Sequence, residues 1–174
     1  MEAFLGLVAL AVALYVVAGI RSVGPQQSAV IERLGKYHRT AEPGMTWVVP
    51  FVDRVRRRVD MREQVRELKD VPVITGDNEM VLVSSATFLR VEDAAKSVYE
   101  VFDYGQAVDQ LTITTLRNLI GSMTLEQVRT SKGTLDAQLT QALNDARQWG
   151  VRIVLVEIKS IVPRGPAGTS GAHW

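Results

Sequence analysis

Eighteen consecutive residues, Ala3 to Ile20, carry no charge and no proline, and this run constrains the chain more than any other feature. As a helix it would be about 27 Å long, close to the roughly 30 Å hydrocarbon thickness of a bilayer. Residues 1–20 are therefore predicted to form a single transmembrane anchor. A cleaved signal peptide is the main competitor, but the only charge ahead of the run is Glu2, so the basic opening of a signal peptide is missing. A buried soluble helix, apolar on all sides, would need a core wrapped around it. The first charge after the run is Arg21, followed on the basic side by Arg33, Lys36 and Arg39. The positive-inside rule then places the remaining chain on the cytoplasmic side of the cell membrane, plasma or inner, as a single-pass protein.

The 174 residues suffice for one ordinary domain plus this appendage. The formal net charge is only +1, which gives no support to nucleic-acid binding. Its distribution says more. Residues 21–69 hold 11 basic and 6 acidic side chains, residues 70–174 hold 9 and 12, so the basic half adjoins the apolar run. Cysteine is absent, which removes disulfides, thiolate nucleophiles, Cys-ligated zinc and palmitoylation together. With only His38 and His173 a His-rich metal site is not expected, and no cofactor is implied.

Past Gly24-Pro25 the pattern is strand-like. Ser28 to Leu34 ends at Gly35; Pro43-Gly44 turns into Met45 to Val49; Arg54 to Met61 alternates basic and apolar residues; Gln64 to Thr75 is extended. Gly76-Asp77-Asn78 marks a turn into Glu79–Val91, with Val81, Val83 and Leu89 on one face and Met80, Leu82, Ala86 and Phe88 on the other. The period then changes to that of helices. A short one covers Glu92–Val101. Asp103 with Gln106 caps a second, on which Val108, Leu111, Thr115, Leu119 and Ile120 are expected to share a face up to Gly121. Thr124 with Gln127 repeats the capping spacing, and a third helix runs from Lys132 to Trp149, with a stripe of Leu135, Leu139, Leu143, Ala142, Ala146 and Trp149 stopped by Gly150. Val151–Val162 returns to a strand with Val154, Val156 and Ile158 inward. The Gly/Pro/Ser-rich residues 164–174 are expected to be a disordered tail. The fold class is α+β with a meandering, mainly antiparallel sheet.

Several phrases in this order resemble the SPFH (band 7) family of stomatin, prohibitin, flotillin and bacterial relatives. They are Ala29-Val-Ile-Glu-Arg-Leu-Gly-Lys-Tyr37, Pro43-Gly-Met-Thr-Trp-Val-Val-Pro-Phe-Val-Asp-Arg54, Val59-Asp-Met-Arg62, Val73-Ile-Thr-Gly-Asp-Asn78, Thr114-Thr-Leu-Arg-Asn118 and Trp149-Gly-Val-Arg-Ile-Val-Leu-Val-Glu-Ile-Lys159. The resemblance covers roughly Gln26 to Pro163 and is strongest to the bacterial stomatin-like branch. It implies an SPFH domain over residues 21–163 and a membrane-anchored, oligomeric scaffold that organises membrane domains and modulates membrane proteins or membrane proteases. The implied partners are the lipid bilayer, further copies or relatives in a homo- or hetero-oligomer, and a membrane AAA protease or NfeD-like membrane protein. Relatives usually continue into a long coiled-coil helix, whereas Pro163 here precedes the short tail, so a truncated member that binds full-length relatives is an alternative reading.

Two sets of side chains are candidates for function. Trp47 and Phe51 followed by Arg54, Arg56, Arg57 and Arg58 suit a bilayer headgroup boundary, with buried aromatics and a solvated arginine face as the competing reading. Arg117, Glu157 and Lys159 are weaker candidates for subunit contacts, since ordinary surface charge explains them as well. No catalytic constellation is present: Ser84-Ser85 lies outside a nucleophile elbow, and phosphate-loop and zinc-protease motifs are missing. A membrane-tethered hydrolase would have to recruit His38 or His173.

Overall fold

The computed structural model describes residues 1–166, and the chain divides into two compact units, Met1–Arg62 and Glu63–Trp174. Helix α1 (Glu2–Ala18) opens the first unit and has 17 residues, about 26 Å of rise. Among the described residues no helix is long and apolar enough to cross a membrane. The spanning helix expected over Ala3–Ile20 is thus corrected to a shorter one. The reason is local: Gly19 caps α1, and Ile20 already belongs to β1 (Ile20–Val23), whose backbone pairs antiparallel with β4 (Gly44–Trp47).

The other strands of this unit are β2 (Gln27–Arg33), β3 (Lys36–Ala41) and β5 (Asp53–Asp60), hydrogen-bonded antiparallel in the order β3-β2-β5. Leu34 and Gly35, at φ of 51° and 79°, make the two-residue turn between β2 and β3 that the right-handed twist of a hairpin favours. The core is small. Val23, Ala29, Ile31, Ala41 and Val48 are buried together, with Val55 packed against them.

The second unit is one antiparallel sheet, β6 (Glu63–Ile74), β7 (Glu79–Val91) and β8 (Val151–Pro166), with β7 central. Between β7 and β8 come α2 (Ala94–Tyr99), α3 (Tyr104–Gly121), α4 (Leu125–Thr130), α5 (Lys132–Ala142) and a 3-10 segment, Leu143–Trp149. The caps act as the sequence pattern implied. Asp103 accepts from the backbone N–H groups of Gly105 and Gln106, Thr124 and Gln127 form a reciprocal capping box, and Gly150 ends the last helical segment at φ 70°.

Several details differ from expectation, among them the third helix, whose α-helical part ends at Ala142 and leaves Ala142 exposed. The buried face of α3 is Val108, Thr112, Leu116 and Ile120, a strict four-residue repeat, so Leu111, Thr115 and Leu119 flank it rather than lead it. On β8 a bulge opposite Phe88/Leu89 inserts Val154 as an extra residue; Val154 is exposed, and Ile153, Val156 and Ile158 take the inward positions. β8 also runs three residues past Pro163, because Glu79 and Met80 offer pairing partners to Pro166 and Gly165. The predicted tail from residue 167 onward lies outside the described residues.

Candidate functional site

The base of α1 is where the first unit concentrates unusual chemistry. The indole of Trp47 donates from Nε1 to the Val16 carbonyl at 3.2 Å, and the Tyr15 hydroxyl donates to the Pro50 carbonyl at 3.4 Å. The Val16 carbonyl also accepts from the Gly19 N–H at 3.2 Å, so Trp47 adds a second donor at the end of the helix. Arg39 donates from Nη2 to the Trp47 carbonyl at 2.6 Å and to the Thr46 hydroxyl at 3.0 Å, fixing β4 from its other side. A Cβ on Gly19 would meet the Trp47 ring and lie 2.7 Å from the Val48 carbonyl oxygen, so only glycine fits at this junction. The periodic reading of the sequence passed over Gly19 and Tyr15, since neither belongs to a motif; their role depends on where β4 returns.

After Trp47 the chain makes a turn whose apex is Phe51. Its φ of 69° is costly for a bulky residue, and its side chain is 99% exposed. Asp53 holds this turn closed. Its carboxylate accepts from Arg33 Nε at 2.6 Å, from Arg33 Nη2 at 3.0 Å and from the Val49 N–H at 3.1 Å, while the Asp53 N–H donates to the Val49 carbonyl at 2.9 Å. The paired guanidinium, with the added backbone donor, holds the Asp53 carboxyl at about 2, well below the usual carboxylate range. Trp47 itself is 45% exposed, so it is neither core nor free surface, and the buried residue of the segment is Val48.

The arginines do not form a single face. Alternation would place Arg54, Arg56 and Arg58 on one side of β5, but the β2–β5 register shifts between Val30 and Ile31, which pair with Arg57 and Val55. Arg56 is the extra residue of that bulge and reaches Glu32 at 3.7 Å. Arg54 lies opposite Glu32, whereas Arg58 lies opposite Ala29, on the other face. Only Arg54, Arg56 and Arg57 stay on the Glu32 side.

In the second unit Arg117 stands on the exposed side of α3 beside Pro72, Val73, Ile74 and Met80. Glu157 is exposed on β8 opposite Ala86. Lys159 occupies a bulge, and its ammonium pairs with Glu67 of β6 in the same sheet, which lowers the Glu67 carboxyl from its usual value. The predicted intersubunit role of Lys159 thus competes with a partner inside its own sheet. Ser84 accepts from the Asp70 N–H at 3.1 Å, and His38, which a hydrolase would have to recruit, belongs to the other unit.

Residues 21–165 match the SPFH domain / Band 7 family. The chain belongs to this family. It is 47% identical over 164 residues to an uncharacterized protein of Mycobacterium tuberculosis (strain ATCC 25618 / H37Rv), covering 91% of this chain and 43% of that protein. An uncharacterized protein of Methanothermobacter thermautotrophicus is 42% identical over 147 residues, 84% of this chain and 46% of the relative. Human stomatin-like protein 2, mitochondrial, is 37% identical over 139 residues, 79% of this chain and 39% of the relative. The SPFH chain therefore spans less than half the length of these relatives, and its antiparallel sheets and helices are those of an α+β SPFH domain. None of these three names designates an enzyme.

Proposed function

We propose that this SPFH chain is a non-enzymatic scaffold held at the cell membrane by α1, with the strands of its first unit and the whole second unit on the cytoplasmic side. The observation that carries the reading is the exposure of α1: Phe4, Leu5, Leu7, Leu10, Leu14 and Val17 are all more than half exposed, although they lie on different sides of the helix. No amphipathic stripe is present to suit a helix lying flat on a surface, and water is a poor solvent for such a cylinder. Hydrocarbon is a good one. At about 26 Å the helix is a few ångströms shorter than a typical hydrocarbon core, so insertion is accompanied by local thinning or leaves the far headgroups untouched.

In this reading Trp47 and Phe51 sit at the headgroup level beside the base of α1, and Arg54, Arg56 and Arg58 supply attraction to anionic lipid from the two faces of β5. Arg21, Arg33, Lys36 and Arg39 favour the cytoplasmic side. The second unit, with Arg117 and Glu157 exposed, supplies contacts to further copies, to relatives or to membrane proteases, as the family resemblance implies.

Carbonate and high-salt washing of membranes test the attachment. The full chain is expected to stay with the membrane, and a chain lacking residues 1–20 to leave it in high salt, because screened charge alone does not hold it. Extraction of the full chain by carbonate would overturn the reading. Depth is measured by quenching Trp47 with brominated lipids in a Trp149→Phe, Trp174→Phe background. Quenching by bromines near the headgroups is expected, and absence of quenching in folded protein would leave α1 as the only contact.

A further inference from the structure

Five of the described residues other than glycine hold a positive φ. Three are polar, and two of those, Asp70 and Asn78, are of the types that left-handed backbone favours. The other two are Leu34 and Phe51, at 51° and 69°, bulky apolar residues for which this conformation is unfavourable. Their side chains are 80% and 99% exposed, so no packing within the chain offsets the strain. Strained backbone that presents an exposed apolar side chain points to a use for that side chain.

The two residues belong to one tip. Arg33 and Asp53 are partners in the β2–β5 register, so the turn after β2 and the turn before β5 leave the sheet at the same end. The Leu34 N–H donates to the Val52 carbonyl at 3.2 Å, and the Arg33–Asp53 fork ties the feet of both turns together. Val52, next to Phe51, is exposed as well. What this tip faces follows from α1. Trp47 donates to the Val16 carbonyl and the Pro50 carbonyl accepts from Tyr15, so the loop leading to Phe51 hangs on the last turn of α1 at both its ends. A helix apolar on every side enters hydrocarbon, and a loop bonded to its last turn is brought to the boundary of headgroups and acyl chains. Lys36 and Arg54 are exposed beside the two turns, whereas the nearby acids are taken up, Asp53 by Arg33 and Glu32 by Arg56. Apolar prongs rimmed by cations and tied to such a helix match an anionic leaflet.

We propose that the Leu34 and Phe51 turns form a two-pronged tip that inserts into the leaflet α1 enters, so that the first unit meets the membrane at a second point and does not swivel about α1. The inference rests on the attachment by α1 set out above and adds Leu34, which that reading leaves out. The Arg33–Asp53 pair serves the tip by holding both turns in register.

The chain has no cysteine, so single-cysteine variants of the full chain take a nitrobenzoxadiazole label one position at a time. Leu34, Phe51, Leu10 in α1 and Lys132 in α5 are all exposed, so labelling spares the fold, as circular dichroism would verify. The vesicles are phosphatidylcholine with phosphatidylserine, brominated either near the headgroup or near the chain end. Labels at Leu34→Cys and Phe51→Cys are expected to lose emission to the shallow bromines, a label at Leu10→Cys to the deep ones, and one at Lys132→Cys to neither. Leu34→Asn, compatible with left-handed backbone, should then reduce the quenching of the label at Phe51→Cys, because the two prongs enter together. Quenching at Leu10 without quenching at Leu34 would overturn the tip and leave the anchor standing. Quenching at Leu34 and Phe51 without quenching at Leu10 would remove the anchor and keep the tip, and no quenching at any position would remove both. Blue-shifted labels at Leu34 and Phe51 that bromines do not reach would assign the tip to a protein contact and overturn the proposal. So would quenching at Phe51 that is indifferent to Leu34→Asn.

Discussion

The two units of this chain spend their apolar residues in opposite ways. The second unit buries Leu116, Ile120, Leu135, Leu139, Leu143 and Ile158 almost completely between its helices and its sheet. The first unit has a core of small residues around Ile31, and leaves its largest apolar side chains, those of α1 and Phe51, in the open. Burial of large side chains stabilises a fold; exposure of them marks a surface meant for another phase. The second unit also leaves Phe102 exposed, so the contrast is one of proportion, sharpest along α1.

Truncation of one large apolar residue in each unit gives the widest separation. Leu139→Ala, fully buried, is expected to cost about 2–5 kcal/mol of stability, measured by denaturant unfolding of the second unit's transition. Phe51→Ala should stay within about 0.5 kcal/mol, since almost nothing is packed against it. Equal losses from the two would break the comparison.

Glycine substitutions sharpen it next. Gly19→Ala forces a Cβ against Trp47 and the Val48 carbonyl and is expected to cost about 1–3 kcal/mol, together with a shift of Trp47 emission in the Trp149→Phe, Trp174→Phe background. Gly133→Ala in α5 meets nothing within 4 Å and should be neutral or stabilising by up to about 1 kcal/mol. A harmless Gly19→Ala would mean that the base of α1 is not clamped as described. At Phe51 the expected change is smaller and has two signs. Phe51→Gly relieves the positive φ and should raise stability by up to about 1 kcal/mol, while weakening the quenching of Trp47 by brominated lipid. Loss of stability instead would show that the Phe51 ring packs within the unit.

Much of this was legible because local signals carry most of it. The bounds of β7 and the capping residues Asp103, Thr124 and Gly150 are set by neighbours a few positions away. The apolar run was legible too, but its end was not: Gly19 and Ile20 are diverted by pairing with β4, more than twenty residues later. Bulges hid the rest. Arg58 and Val154 change face because one extra residue enters each ladder, and alternation in a single strand cannot record where its partner slips. The placement of Arg117 beside Pro72, Ile74 and Met80 was equally invisible, since it requires β6 and α3 to lie side by side.

The mildest expected effect is the acid limb of stability in the first unit. Asp53 is 1% exposed in its side chain and its carboxyl is held at about 2 by the Arg33 guanidinium and the Val49 N–H, against about 3.9 in an unfolded chain. A carboxyl lowered on folding contributes stability that is fully present above the unfolded value and disappears as pH falls through the folded one. The contribution should therefore hold at neutral pH and decline between about pH 4 and pH 2. Asp60 is also held at about 2, by Arg62 two residues on, but that pair is local and open to water and can persist in an unfolded chain, so its effect on folding is small. Melting temperatures across this window separate the two. Asp53→Asn should lower stability at pH 7 and flatten the decline toward pH 2, whereas Asp60→Asn should leave both nearly unchanged. Because Asp53 closes the turn that presents Phe51, the same acid titration should also move the emission of Trp47. An acid limb insensitive to Asp53→Asn would show that the turn is held by its backbone bonds alone.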